Sequence, residues 1–260
     1  VNVMGSLNLL EALKGLDKKC SIVMVTTDKV YKNREWHHGY RENDTLGGED
    51  PYSASKAAME IAVESWRRSF SGNGKNQSPN LSIATARAGN VLGGGDWSSE
   101  RIIPDAIKAL KINKPINIRN PNATRPWQHV LDPLTGYLDL ARYLNKNHHE
   151  ISKNSKKLPN SFNFGPQKDS NRSVKELIEM VLSLWPGEWI DHSDLNQPHE
   201  ASLLNLVSDQ AHHFLEWSSI WDFKMTINKT VGWYLKERDG INPMQCCLDD
   251  VNAYNEKLET

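Results

Sequence analysis

The stretch Ser21-Ile22-Val23-Met24-Val25 constrains the fold of this chain more than any other. An unbroken apolar run reads as a strand buried on both faces, the kind found in parallel sheets. Thr26-Thr27-Asp28-Lys29 follow at once. Polar residues just past such a strand stand at the carboxyl edge of the sheet, where open α/β folds bind their ligands. A second pattern lies a short way on, in Tyr52-Ser53-Ala54-Ser55-Lys56. Tyr52 and Lys56 are four residues apart, so they lie on one face of a helix turn. There a lysine cation favours the phenolate over the phenol and turns an acid of pKa about 10 into a usable base. A base on a helix and a polar cluster at a strand end can then share one cleft.

Hydrophobic periodicity gives the rest of the organisation. It predicts a helix over 2–15, a strand over 21–25, an irregular loop over 30–50, a helix over 52–70 and a strand over 81–86. Residues 71–80 form a surface connection. Pro104 opens a helix carrying Ile107 and Leu110, and a short strand follows near Ile116–Ile118. The helix over 131–146 carries Leu134, Leu138, Ala141 and Leu144 on one face. A lysine- and asparagine-rich stretch from Asn145 to Asn160 reads as a solvated linker or insertion. Ser161–Gly165 is a short strand, and Ser173 with Glu176 makes a capping box for a helix through Leu184. Strands alternating with helices argue a parallel sheet covered on both sides.

With 260 residues the chain holds one large α/β unit or two small domains. Its 31 basic and 32 acidic residues leave a net charge of −1, so no field favours nucleic acid or an anionic membrane. No apolar stretch reaches the roughly 20 residues needed to span a bilayer. Three cysteines make no disulfide framework, which points to a reducing cytoplasm. The doublets His37-His38, His148-His149 and His212-His213 point their side chains apart, so no metal site is expected.

The strand-end tetrad and the Tyr52/Lys56 pair together resemble the extended short-chain dehydrogenase/reductase family, and within it the nucleotide-sugar 4,6-dehydratases. The likeness runs on through Asn33–Trp36, Gly39–Asp44, Arg87–Val91, Gly93–Trp97, Arg101–Asp105 and Arg125–Val130, in the manner of the CDP-glucose branch. Gln197-Pro198-His199-Glu200-Ala201 and a final amphipathic helix extend it more loosely. The resemblance implies a Rossmann-like, doubly wound parallel sheet with a smaller C-terminal nucleotide-sugar-binding lobe. Residues 1–93 and 131–166 then belong to the NAD-binding domain, and 94–130 with 167–260 to the lobe. The family's glycine-rich turn between first strand and helix is not in the sequence, because Gly93-Gly94-Gly95 follows a later strand and leads to Asp96-Trp97. The expectation is of an N-terminally truncated domain, with on the order of 100 residues ahead of Val1.

A sugar 4,6-dehydratase needs a base at O4, a base at C5 and an acid at O6. The resemblance assigns Tyr52 to O4, with Lys56 lowering its pKa and holding the nicotinamide ribose of NAD. It makes Asp28 the acid at O6 and Lys29 the base at C5, while Thr27 hydrogen-bonds the O4 region. For this, Asp28 must arrive protonated and Lys29 neutral, against ordinary pKa values of about 3.9 and 10.4. Simple epimerases of the family carry the Tyr/Lys pair without a second acid–base pair, so Asp28-Lys29 separates the two activities. Arg87, Asn90, Arg101, Arg125 and His129 are the expected contacts to the nucleotide sugar, CDP-glucose, since a diphosphate calls for planar bidentate donors. The resemblance also implies a homodimer through the helices at 2–15 and 52–70, with Ala58, Ile61, Ala62, Ser65 and Trp66 at the contact. An epimerase or decarboxylase of the same family and a non-catalytic NAD- or nucleotide-sugar-binding fragment are the alternative readings.

Overall fold

A computed structural model describes residues 1–72, 77–152, 158–193 and 203–259. In chain order the first half contains α1 (Asn2–Leu13), β1 (Cys20–Val25), α2 (Pro51–Phe70), β2 (Leu81–Ala88), β3 (Val91–Leu92), α3 (Ile102–Lys111), β4 (Ile116–Ile118), β5 (Thr124–Pro126) and β6 (Gln128–His129). The second contains α4 (Leu131–Lys146), α5 (His148–Ser152), β7 (Ser161–Phe164), β8 (Asn171–Ser173), α6 (Val174–Leu184), β9 (Trp189–Asp191), α7 (Asp209–Leu215), α8 (Phe223–Arg238) and α9 (Pro243–Leu258). The chain forms two compact units, Val1–Gly89 with Pro133–Gly165 and Asn205–Ser218, and Asn90–Asp132 with Pro166–Leu204 and Ser219–Thr260. The segment 205–218 therefore joins the first unit, although the sequence reading gave all of 167–260 to the lobe.

The first unit is a Rossmann-like α/β layer structure around the parallel sheet β1-β2-β7. Register runs from Cys20 opposite Leu81 to Val25 opposite Ala86, and from Thr85 opposite Ser161 to Ala88 opposite Phe164. Every residue of β2 is buried. Such burial needs apolar or hydrogen-bonded side chains on both faces, which is why this strand shows no alternation. One face packs Ile22, Met24, Leu81 and Ile83 against Leu10 of α1 and Met59, Val63 and Trp66 of α2. The opposite face packs Ala84, Ala86, Phe162 and Phe164 against Leu140 and Leu144 of α4 and against Trp217.

Two expectations change here. Leu134 and Leu138 are exposed, and α4 turns Leu140 and Tyr143 inward beside the expected Leu144. The cause is Gly136, where a Cβ would overlap the Phe164 ring, so this glycine sets which face of α4 meets the sheet. The stretch expected to be a linker from Asn145 contains α5, whose Ile151 is buried in the same core. His148, half of one histidine doublet, is a structural pin: its Nδ1 lies 2.5 Å from Ser82 Oγ and its Nε2 3.0 Å from the Pro79 carbonyl.

The second unit pairs short strands, β3 with β6 and β4 with β9 in parallel and β5 with β8 antiparallel. Its core gathers Ile103, Ile107 and Leu110 of α3, Leu177, Ile178 and Val181 of α6, and Ile227, Val231 and Tyr234 of α8. Helix α3 starts at Ile102, two residues ahead of Pro104. Proline lacks an N–H, and an N–H in the first turn has no intrahelical acceptor, so the turn accommodates it. The capping box of α6 forms as the sequence predicts: Ser173 Oγ accepts from Glu176 N at 3.1 Å, and the Glu176 carboxylate accepts from Ser173 N at 2.7 Å. The 197–201 segment lies outside the described residues.

Candidate active site

The site grows from the carboxyl end of β1. Thr26 N donates to Ala86 O at 2.8 Å, carrying the parallel ladder one residue past the strand. The backbone then turns through a short 3₁₀ segment, Asp28–Val30, capped by Thr27, whose side chain accepts from Lys29 N at 3.4 Å. This turn buries Asp28 completely. Asp28 Oδ1 accepts from Thr27 Oγ1 at 3.0 Å and from Lys29 Nζ at 3.2 Å, whereas Oδ2 is buried without a hydrogen-bond partner. The Lys29 side chain is 39 % exposed, so the pair has one closed member and one open member.

Helix α2 carries the other half and packs against that turn. Asp50 caps it, its Oδ1 accepting from Tyr52 N at 2.8 Å and Ser53 N at 3.0 Å, and Pro51 takes the first-turn position. The Ser53 hydroxyl, with these amides, holds the Asp50 carboxyl below its ordinary range. Tyr52 is 51 % exposed at the start of the helix. Lys56, one turn on, donates from Nζ to Val25 O at 3.3 Å, the last carbonyl of β1. Thr27, Asp28, Lys29, Tyr52 and Lys56 are thus brought together within one unit, on the strand end and on the helix beside it.

The expected substrate contacts separate. Arg87 is buried, and its guanidinium is spent inside the protein. Nε and Nη2 donate to Glu60 Oε1 and Oε2, each at 2.9 Å, and Nη1 donates to Tyr31 Oη at 2.8 Å and Glu42 O at 2.9 Å. Burial works against its charge, yet the Glu60 carboxylate holds its pKa above the ordinary value. Arg87 is a framework residue, which corrects the expectation of a substrate donor. His129 is enclosed as well. It is buried edge-on to Trp221, with ring centroids 4.6 Å apart, and its Nδ1 accepts from Leu131 N at 3.3 Å. Burial, aided by Lys229, pushes its pKa down to about 3, so the ring is neutral. Arg101 is exposed, with its Nε 3.9 Å from Asp96. Arg125 is half-buried on β5 and donates to Thr124 O at 2.9 Å, and Asn90 is half-buried where the second unit begins.

Sequence reading missed Glu60. It lies one turn beyond Lys56, so Tyr52, Lys56 and Glu60 step along one face of α2. A carboxylate at that spacing, ahead of a strand containing Thr85 and Arg87, was the available signal.

The pattern of the NAD dependent epimerase/dehydratase family matches residues 1–165. The chain belongs to this family. It is 36% identical over 97% of its length to CDP-glucose 4,6-dehydratase of Salmonella typhimurium, 69% of which it covers. It is 25% identical to dTDP-glucose 4,6-dehydratase of Haemophilus influenzae over 90% of this chain and 69% of that one. The crystal structure of dTDP-glucose 4,6-dehydratase from Bacillus anthracis in complex with NAD superimposes with a TM-score of 0.69 at 20% identity, over 93% of this chain and 70% of that one. The chain is an enzyme of a nucleotide-sugar family whose cofactor is NAD. Among the described residues no helix is long and apolar enough to cross a membrane.

The residues present fit the nicotinamide end of that cofactor, with an exposed phenol and a lysine ammonium at the carboxyl edge of the sheet. Among the described residues the glycine cluster at 93–95 does not offer its pyrophosphate cradle. A Cβ on Gly94 would overlap the Trp233 indole, so the glycine cluster at 93–95 is packed beneath a tryptophan.

Proposed function

We propose that this chain carries the catalytic residues of a CDP-glucose 4,6-dehydratase, which converts CDP-glucose to CDP-4-keto-6-deoxyglucose. The observation that carries the reading is the completely buried Asp28, bonded to Lys29 Nζ through one oxygen and unpartnered at the other. An epimerase has no use for a second acid–base pair beside Tyr52 and Lys56. NAD, held at its nicotinamide end beside Tyr52 and Lys56, would supply the acceptor for the C4 hydride and its donor to C6.

The side chains have separate tasks. Tyr52 takes the proton of the C4 hydroxyl, and Thr27 hydrogen-bonds O4 as the ketone emerges. Lys56 would hold the nicotinamide ribose. Asp28 must be a neutral acid and Lys29 a neutral amine, and a single proton moved across the 3.2 Å from Nζ to the carboxyl produces both. Lys29 then removes the C5 proton and Asp28 protonates the departing C6 hydroxyl, so water leaves across C5 and C6. Asn90, Arg101 and Arg125 are the proposed substrate contacts, and a cytoplasmic setting accords with free Cys20, Cys246 and Cys247.

The test uses the protein joined at its amino end to the family's glycine-rich βα unit. With CDP-[4-²H]glucose, deuterium moves to C6 without net NADH. Label retained at C4 with CDP-galactose as sole product refutes the dehydratase reading. The same preparation is proposed to be a homodimer through α1 and α2, where Met4, Leu9 and Ile61 are exposed. Trp66 is excluded from that contact, since it is buried and donates to Glu11 at 2.5 Å. Light scattering at micromolar concentration gives twice the subunit mass, and a monomer refutes the dimer.

A further inference from the structure

We propose that Glu60 is a positioning residue that registers the tyrosine-bearing helix against the strand end bearing Thr27, Asp28 and Lys29. The carboxylate is buried and fully occupied. Oε1 accepts from Thr26 Oγ1 at 2.5 Å and Arg87 Nε at 2.9 Å, and Oε2 accepts from Thr85 Oγ1 at 2.8 Å and Arg87 Nη2 at 2.9 Å. A carboxylate offers about four lone-pair sites, so nothing remains for proton chemistry. Glu60 therefore acts only through where it holds its partners.

Those partners are placed to matter. Two successive turns of α2 grip two successive residues of the strand end: Lys56 holds the Val25 carbonyl and Glu60 holds the Thr26 hydroxyl. The next residues along the chain are the reacting ones. Arg87 extends the same network to Tyr31 Oη, which donates to Asn163 Oδ1 at 2.7 Å on β7. Burial pushes the Tyr31 phenol up to about 12, so it keeps its proton and its bond. All three strands of the sheet are thus tied to the helix that carries the base. Beside the packing of Met59, Val63 and Trp66 on the sheet, the Lys56 and Glu60 hydrogen bonds tie the helix to the strand end at this point. A displacement of about 1 Å between reacting groups can cost on the order of 10²-fold in rate.

The inference rests on the dehydratase reading only in requiring that Tyr52 and the Thr27–Lys29 group act on one substrate. Substituting Glu60 would strand the Arg87 charge and threaten folding, so Thr26 is the place to test it. Thr26→Val removes the hydroxyl and preserves both the shape and the Glu60–Arg87 pair, whereas Thr26→Ser keeps the hydroxyl. In the protein carrying the glycine-rich unit, Thr26→Val lowers kcat about tenfold to a hundredfold with KM for CDP-glucose within about twofold. Thr26→Ser restores kcat to within about threefold of the parent. A Thr26→Val kcat within twofold of the parent, or a Thr26→Ser enzyme as slow as Thr26→Val, overturns the proposal. On residues 1–260 alone, amide exchange of Thr27–Lys29 accelerates in Thr26→Val while that of α2 is unchanged. If the unmodified protein turns over no nucleotide sugar, the dehydratase reading fails by itself and this exchange measurement decides the role of Glu60, with unchanged protection refuting it.

Discussion

Arg87→Met tests whether Arg87 belongs to the framework or to the substrate site. The substitution keeps an unbranched side chain of comparable length and deletes the guanidinium. Glu60 then loses two of its four donors, both at 2.9 Å, and Tyr31 Oη and Glu42 O lose the donor they share. The remaining donors to Glu60 are the neutral hydroxyls of Thr26 and Thr85. Removing one partner of a buried pair typically costs about 3–5 kcal/mol, because the other charge stays behind without compensation. Both side chains here are under 5 % exposed, so that full range applies without discount for solvent screening. At about 1.36 kcal/mol per factor of ten, the folding equilibrium falls by roughly 10²- to 10³-fold or more. Urea denaturation of residues 1–260, followed by tryptophan fluorescence, measures it without any cofactor. The double variant Glu60→Leu with Arg87→Met removes both charges, so it recovers at least half of the single variant's loss. Refutation takes one of two forms: Arg87→Met costs under about 1 kcal/mol, or the double variant is less stable than the single one. Either result would return Arg87 to the list of groups free to meet a diphosphate.

Three further outcomes follow from the site and its surroundings. Asp28→Asn in the protein carrying the glycine-rich unit leaves C4 oxidation intact and slows elimination about 10²–10⁴-fold, while Tyr52→Phe abolishes hydride transfer; single-turnover absorbance at 340 nm separates the steps, and equal slowing of both by Asp28→Asn refutes its role. Burial raises the Asp132 carboxyl to about 6, against the bonds it accepts from Tyr254 and the Ile220 and Trp221 amides. The raised folded-state value makes this acid's contribution most favourable below pH 4 and diminishes it as pH rises to about 6. Asp132→Asn therefore gains on the parent by about 3 kcal/mol between pH 4 and pH 8, and a pH-independent difference in urea midpoints refutes this. Residues 1–260 alone show no micromolar NAD binding by calorimetry, since the glycines at 93–95 lie under Trp233, and a micromolar isotherm would reveal a cradle elsewhere.

The sequence was most legible where local chemistry decides the structure. The strand ending at Val25, the helix through Tyr52 and Lys56, and the Ser173–Glu176 box all depend on neighbours within a few residues. It was least legible where a distant partner decides. Arg87 carries the features of a phosphate ligand, and only the meeting of α2 with β2 places Glu60 against it. His129 is polar and follows an arginine by four residues, yet Trp221, far along the chain, closes over it. The inward face of α4 could not be read from its leucines, because the Phe164 ring needs the gap left by Gly136. The lysines and asparagines after Asn145 suggested a solvated stretch, and a single isoleucine with the His148–Ser82 bond was enough to seat a helix there.

The path of the chain between its two units has a practical meaning for anyone wishing to study them apart. The backbone passes from one unit to the other at 89/90, 132/133, 165/166, 204/205 and 218/219. Each unit is therefore woven from three separate lengths of polypeptide, and no single cut releases either one. A protease that nicks an exposed connection leaves both pieces bound in a non-covalent whole, visible as fragments only once the protein is unfolded. For the same reason a ribosome finishes neither unit early: the first waits for residue 218 and the second for the last helix. Shuffling substrate specificity between relatives by swapping a contiguous block would replace only part of a unit, so exchange has to follow the three-segment boundary.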